Sequence, residues 1–252
     1  MSGLVQFERR EAVAVLTLNR PQHHNALVPE LLDELLDAVH SEPCQTARAL
    51  LLQARGPSFS TGGDLRGFWR HREALESYSE ALVGRLNRTI IALWSYPAPV
   101  ACAVQGQVTG GALGLLLAAD HVVMAPAVTV TPWYSRVGFS PDGGWTALLP
   151  ELIGRRATAH WLYHDETRDA AACKALGLAQ EVTGDAAAAA LEWAQAAASG
   201  QPASARSARR LLNAGSTALQ QRLEAERAAF VQQICTSEAR AGIRQFIEGS
   251  CA

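Results

Sequence analysis

Gly106-Gln107-Val108-Thr109-Gly110-Gly111-Ala112-Leu113-Gly114-Leu115-Leu116-Leu117-Ala118-Ala119-Asp120 is the stretch on which the reading of this chain turns. It follows an apolar, strand-like run, Val100–Val104. It then enters a segment apolar nearly all round over residues 112–119, the composition of a deeply buried helix. Gly106, Gly110, Gly111 and Gly114 surround the turn between the two. A turn into a helix leaves the first backbone N–H groups without partners, at the positive end of the helix dipole. Small side chains there let a ligand approach the backbone, so the stretch predicts an anion or oxyanion site. The glycine spacing is not that of the dinucleotide fingerprint, which needs G-x-G-x-x-G at the head of a βαβ unit. Glycine for close helix packing is the competing reading. A second glycine turn upstream weighs against it: Phe59-Ser60-Thr61-Gly62-Gly63-Asp64-Leu65 also follows an apolar run, residues 49–52, and precedes a helical segment. Two N–H groups converging on one point form an oxyanion hole.

Composition sets the frame. With 252 residues the chain is long enough for a large core, as one α/β domain or a domain with an appendage. A hydrophobic share of 48% with 18% charged residues is that of a soluble globular protein. The net charge of −2 gives no electrostatic footprint for nucleic acid. Cys44, Cys102, Cys173, Cys235 and Cys251 are scattered with no C-x-x-C pair, which reads as reduced thiols. Residues 1–10 carry no apolar signal core and no run reaches transmembrane length. A cytoplasmic protein without a membrane partner is expected.

Working outward, residues 12–19 alternate as a strand until Arg20-Pro21 ends it. Pro29–His40 carries Leu31, Leu32, Leu35, Leu36 and Val39 at helical spacing, and residues 79–94 carry Leu82, Val83, Leu86, Ile90 and Leu93. Residues 121–124 and 128–130 read as short strands, 180–183 as a last one, and a helix is expected to start near Trp145. Residues 185–198 are dense in alanine. Pro202 marks a boundary before amphipathic helices near 203–213, 216–234 and 239–248. The division expected is a core over 1–200 and a helical region over 201–252. Asp64 reads as a turn-holding or N-capping side chain rather than a catalyst. His71 reads as a solvated side chain rather than a base. The pair His23-His24 has no further ligands nearby, so no metal site is expected.

Four motifs in register carry a family resemblance. They are Leu18-Asn19-Arg20-Pro21 with Asn25-Ala26-Leu27, then Phe59 to Asp64, then Gly106 to Asp120, then Gly138-Phe139-Ser140-Pro141-Asp142-Gly143-Gly144. Together they resemble the crotonase (enoyl-CoA hydratase/isomerase) superfamily over essentially the whole chain. The resemblance implies an α/β fold, a spiral of ββα units with a C-terminal helical region that trimerises, and a homotrimer or hexamer as the assembly. It implies acyl-CoA thioesters as substrates, with coenzyme A part of the substrate and no separate cofactor. The oxyanion hole would be the N–H groups of Gly63 and Gly111. CoA contacts would come from Arg20, His24, Ala26, Asp64, Leu65 and Arg66, of which Arg20 and His24 read equally well as solvated surface. The acyl pocket would be walled by Phe68, Tyr134 and Trp145, with Phe68 and its neighbour Trp69 reading equally well as core.

Departures from the family pattern bear on the chemistry. Hydratases of the family place one glutamate in the helix of the second glycine segment and another in a downstream Gln-Pro-Glu run. The matching positions here are Gly114 and Tyr134. A positioned acid–base group contributes roughly 10²–10⁴-fold, so ordinary two-glutamate hydration is disfavoured. One carboxylate remains, Asp142, and its plain alternative is to cap the helix expected near Trp145. Family members with an aspartate in this turn include the phenylacetate-pathway enoyl/epoxide isomerases, dienoyl-CoA isomerases and 4-halobenzoyl-CoA dehalogenases. The expectation is an enoyl-CoA isomerase with Asp142 as its one base. A dehalogenase-like hydrolase with Asp142 as nucleophile stands second and needs a histidine on the same wall. A non-catalytic acyl-CoA-binding subunit stands third. Phe246-Ile247-Glu248 resembles the family's closing helix, and the chain stops at Ala252 without the basic, proline-containing tail, which puts in doubt that tail's contacts with a neighbouring CoA site.

Overall fold

Four apolar runs carry the architecture: β2 (Val13–Leu18), β3 (Ala49–Ala54), β4 (Val100–Val104) and β6 (His121–Met124). Strands this apolar throughout belong to parallel sheets covered on both faces, and the computed structural model, which describes residues 3–249, bears this out. The expectation for Cys251 and for the end of the chain at Ala252 lies outside the described residues. β1 (Val5–Arg10) pairs antiparallel with β2, and β2, β3, β4, β6 and β9 (Glu181–Val182) run parallel in that order. Alternation then sorts the side chains. Leu16, Leu18, Leu50, Leu52, Cys102, Val104 and Met124 enter the main core, while Val13, Val15, Ala49, Leu51, Ala101, Ala103 and Val123 face the other way.

A second sheet holds β5 (Gln107–Thr109), β7 (Thr129–Thr131) and β8 (Arg168–Asp169), in that order. After β4 the chain crosses to β5 and then enters α5, and after β6 it crosses to β7 and then enters α6; this ββα step is the spiral expected from the sequence. The helices in chain order are α1 (Pro29–His40) and α2 (Glu42–Gln45) before β3, and α3 (Leu65–Arg70) and α4 (Leu75–Trp94) before β4. Next come α5 (Leu113–Leu117), then α6 (Tyr134–Val137), α7 (Leu149–Ile153) and α8 (Arg155–His164) before β8, and α9 (Ala170–Ala175) before β9. The chain closes with α10 (Ala186–Ser199), α11 (Pro202–Leu212), α12 (Ser216–Ile234) and α13 (Ser237–Ile247).

The alanine-dense α10 has a packing reason. Ala186, Ala190, Ala194 and Ala198 fall four apart, so they share one helix face and lie against the second face of the main sheet. The helix expected at Trp145 does not form. Gly143 and Gly144 take φ of +63° and +89°, the chain turns instead, and α7 begins at Leu149. α12 packs along α4, and α13 packs against α3 and α6. α13 thereby lies against α3, the helix that follows the first glycine turn.

Candidate active site

Backbone pairing brings the two glycine turns together. Phe59 N–H donates to Gln105 O at 2.7 Å, Ser60 N–H to Gln107 O at 3.2 Å, and Thr109 N–H to Ser60 O at 3.2 Å. The chain before Gly62-Gly63 is thus stitched to β5, which leads into Gly110-Gly111. The approach leaves no room for side chains: a Cβ on Gly62 would lie 2.6 Å from Thr109 O. On its other side the first turn is tied to Leu27, whose N–H donates to Gly62 O and whose carbonyl accepts from Asp64 N–H. Neither bond uses the Gly63 N–H. Gly111 lies in a 3-10 turn, Gly110–Ala112, at the position where a helix N–H has no partner within the helix.

Gly63 and Gly111 both border a cavity of about 590 Å³, within the range of small-molecule and cofactor sites. Asp142 reaches the same cavity. A Cβ on Gly111 would stand 2.9 Å from both carboxylate oxygens of Asp142, so that carboxylate rests against the glycine itself. Gly143 follows at positive φ, with its Cα packed on Gly111. Asp142 is 5% exposed, and its carboxylate accepts the Tyr134 hydroxyl at 2.7 Å. It caps no helix. Burial pushes its pKa up from 3.8 to about 7; the bond from Tyr134 opposes the rise and the nearby charge of Glu226 adds to it. Burial and the Asp142 charge also hold the Tyr134 phenol well above its ordinary range.

At the two positions where the resemblance puts the hydratase glutamates the packing is full. A Cβ on Gly114 would lie 2.4 Å from Gly143 O and 2.4 Å from Ile90 Cδ1. Tyr134 is buried against Asp142 and Trp145.

The other residues singled out from sequence divide into two groups. His24, Ala26, Asp64, Leu65, Arg66 and Phe68 border the cavity. Asp64 caps α3, its carboxylate accepting from Arg66 N–H and Gly67 N–H. Arg20 and Trp145 do not border it. Arg20 is 9% exposed and its guanidinium is taken up by Asp64 at 2.8 Å and Ala26 O at 3.1 Å. Trp145 lies behind the wall, where its indole N–H donates to Gly110 O at 2.8 Å. His71 has its Nδ1 2.9 Å from Gly67 O and stacks on Tyr78. The histidines that border the cavity are His23 and His24, and His24 Nδ1 lies 2.9 Å from Ser58 Oγ. Among the described residues no cluster of three or more His, Cys, Asp or Glu is arranged to hold a metal, and no helix is long and apolar enough to cross a membrane.

Two features went unread in the sequence. Phe139 and Phe230 join Phe68 in an aromatic wall, with centroids 5.8 Å from Phe68 to Phe139 and 5.3 Å from Phe139 to Phe230. Phe246 borders the same cavity from α13. The available signal was the apolar stripe of the C-terminal helices, read above as an assembly surface. The other feature is Glu226, buried on α12 with no cation paired to it among the described residues.

Comparison with known proteins follows the same lines. The family model described as enoyl-CoA hydratase/isomerase matches residues 8–251. A protein of Bacillus subtilis (strain 168) that bears the provisional name enoyl-CoA hydratase/isomerase YngF is 33% identical over 247 residues, covering 95% of this chain and 93% of its own. The trans-2-decenoyl-[acyl-carrier-protein] isomerase of Streptococcus mutans is 35% identical over 149 residues, covering 58% of this chain and 57% of its own. Other relatives bear hydratase and dehalogenase names at 34% and 28% identity. Among solved structures, the enoyl-CoA hydratase of Bacillus halodurans superposes with a TM-score of 0.88 at 21% identity, over 96% of this chain and 99% of that one.

Proposed function

This chain belongs to the enoyl-CoA hydratase/isomerase family, and on that footing we propose that it is an enoyl-CoA isomerase with Asp142 as its single base. One observation carries the reading. The Asp142 carboxylate is buried on the cavity wall against Gly111, while the Gly114 position has no space for a second carboxylate.

In this reaction the thioester oxygen of a 3-enoyl chain accepts the N–H groups of Gly63 and Gly111. Asp142 takes a proton from the carbon next to the carbonyl, and the electron pair spreads over the dienolate whose negative oxygen those N–H groups stabilise. Each such donor is worth about 3 kcal/mol where the charge is shielded from water. The protonated carboxyl then returns its proton two carbons further along, so the double bond moves and no atom is gained or lost. A carboxylate with a pKa of about 7 is matched to both halves of that transfer near neutral pH. His24, Ala26, Asp64, Leu65 and Arg66 serve the CoA arm, and Phe68, Phe139 and Phe230 the acyl arm. The chemistry draws on no cofactor beyond the CoA that the substrate carries. Assembly as a homotrimer or hexamer belongs to the same reading; Leu211 and Leu212 of α11 are 69% and 80% exposed, apolar side chains for a second copy to cover.

Mass spectrometry and NMR of a 3-enoyl-CoA after incubation test the reaction class, the first reading added water and the second the position of the double bond. An isomerase returns a 2-enoyl thioester of unchanged mass. A product heavier by one water refutes the one-base reading. Halide release from a halobenzoyl-CoA favours the nucleophilic alternative. Tight thioester binding with no turnover of either substrate favours the non-catalytic one.

A further inference from the structure

We infer that Glu226 is a positioning residue: from α12 its carboxylate gathers the backbone of the 143–147 turn and holds Asp142 against Gly111. The inference rests on Asp142 being the base.

Glu226 is 4% exposed, and among the described residues no cation pairs with it. Arg222 on the same helix pairs with Glu151, and Arg227 with Glu224 and Glu80. Arg85, on the facing α4, pairs with Asp33. A carboxylate buried without a cation is costly, so its partners carry the explanation. Oε2 accepts Gly144 N–H at 2.8 Å. Oε1 accepts Thr146 N–H at 2.7 Å, Thr146 Oγ1–H at 2.7 Å and Ala147 N–H at 2.8 Å. Every one of these donors belongs to a segment that begins two residues after Asp142. Hydrogen bonds to an ionised acceptor are about twice as strong as neutral ones, and here they converge on one side chain.

The turn needs such a hold. Gly143 and Gly144 both sit at positive φ, a region glycine enters without cost but does not prefer. Gly143 also threads between Gly111 and Gly114 with no slack: a Cβ on Gly143 would lie 2.4 Å from Gly111 O, and one on Gly114 would lie 2.4 Å from Gly143 O. A shift of the turn therefore moves Asp142 relative to the Gly111 N–H. Glu226 does not border the cavity and touches no substrate; it acts through the turn. Its charge also bears on Asp142, raising that carboxyl's pKa together with burial, against the bond from Tyr134.

The test compares wild type with Glu226→Gln, Thr146→Val, Asp142→Asn and the double variant Glu226→Gln/Asp142→Asn. Glu226→Gln keeps the shape, removes the charge and turns one oxygen into an amide facing an N–H donor. A misplacement of the base on the ångström scale costs on the order of 10²-fold, so kcat falls by about that factor while KM for the 3-enoyl-CoA stays within about twofold. In the Asp142→Asn background the same change costs nothing further. Thr146→Val, at an exposed position, loses only one of the bonds and moves kcat in the same direction by less; it supplies the kinetic test if Glu226→Gln does not fold. Titration of the ¹³C-labelled Asp142 carboxyl in the substrate-free protein provides a readout that a packing role would not move: its midpoint falls in Glu226→Gln. Unchanged kcat in folded Glu226→Gln, or in Thr146→Val where the former does not fold, overturns the inference. An unmoved Asp142 midpoint in folded Glu226→Gln, or equal losses in both backgrounds, does so too. If wild type turns over no enoyl thioester, the proposed function fails, and the titration still decides the role of Glu226.

Discussion

The hydroxyl of Tyr134 stands 2.7 Å from Oδ1 of Asp142 and 3.0 Å from that residue's own carbonyl oxygen. One proton serves two acceptors. Given to the carboxylate, it steadies the ionised form and opposes the burial that raises Asp142 to about 7. Tyr134→Phe removes the donor and leaves the burial. A hydrogen bond to a charged group is worth about 1.5–3 kcal/mol, which is about one to two pH units on a titration midpoint. The acid limb of kcat/KM therefore moves up by about that amount, and the loss is greater at about pH 6 than at pH 8. Superimposable pH–rate profiles would show that the bond does not govern the base.

Asp142 also ties stability to pH. Its folded pKa lies above the unfolded one, so the folded state binds that proton more tightly. The stability it contributes is fully present below about pH 4 and is lost as pH rises through about 7. A displacement from 3.8 to about 7 corresponds to roughly 4 kcal/mol at its fullest. Burial raises Glu226 in the same direction. Asp142→Asn should thus gain stability over wild type as pH rises, with little difference near pH 4 and the largest near pH 8, in urea unfolding. A constant difference across that range would contradict a buried, titrating carboxyl.

Gly114→Glu should not create a hydratase. The Cβ alone would strike Gly143 O and Ile90 Cδ1 at 2.4 Å each, and forcing atoms into a packed site costs about 1–3 kcal/mol or more. The expected result is a lowered melting temperature with no water-addition product from a 2-enoyl-CoA. A stable Gly114→Glu protein that hydrates its substrate would mean that the turn yields where the packing says it cannot.

Arg20→Met probes a residue that the sequence reads as CoA contact or solvated surface. Its guanidinium is spent on Asp64 and Ala26 O, and removing one partner of a buried pair costs about 3–5 kcal/mol. Loss of stability should therefore exceed loss of affinity for free CoA, measured by unfolding and by calorimetry. A large drop in CoA affinity at unchanged stability would restore the phosphate-contact role.

What could be read from sequence followed the locality of the cause. The glycine turns were legible because backbone approach there excludes side chains, and β3 and β4 because strands covered on both faces are apolar throughout; β2 was read from alternation, although all six of its residues are buried. β1 was not, since Glu8, Arg9 and Arg10 give an edge strand a solvated composition. β5 and β8, three and two residues long, are too short for any period to show. Asp142 stood out by its motif, but its environment is assembled from elsewhere. Tyr134 reaches it across a helix, and Glu226 reaches its turn from about 80 positions away. Trp145 was expected on the wall and lies behind it, because its indole N–H is claimed by Gly110 O.

The most direct measurement of the central claim is the fate of deuterium in a 3-enoyl-CoA labelled at the carbon next to the carbonyl, turned over in ordinary water and read by NMR for wild type and Asp142→Asn. Wild type should carry deuterium from that carbon to the one two positions further along as the double bond moves. Asp142→Asn should slow that transfer by about 10²–10⁴-fold while still binding the thioester. Transfer at the wild-type rate in Asp142→Asn would show that another group moves the proton.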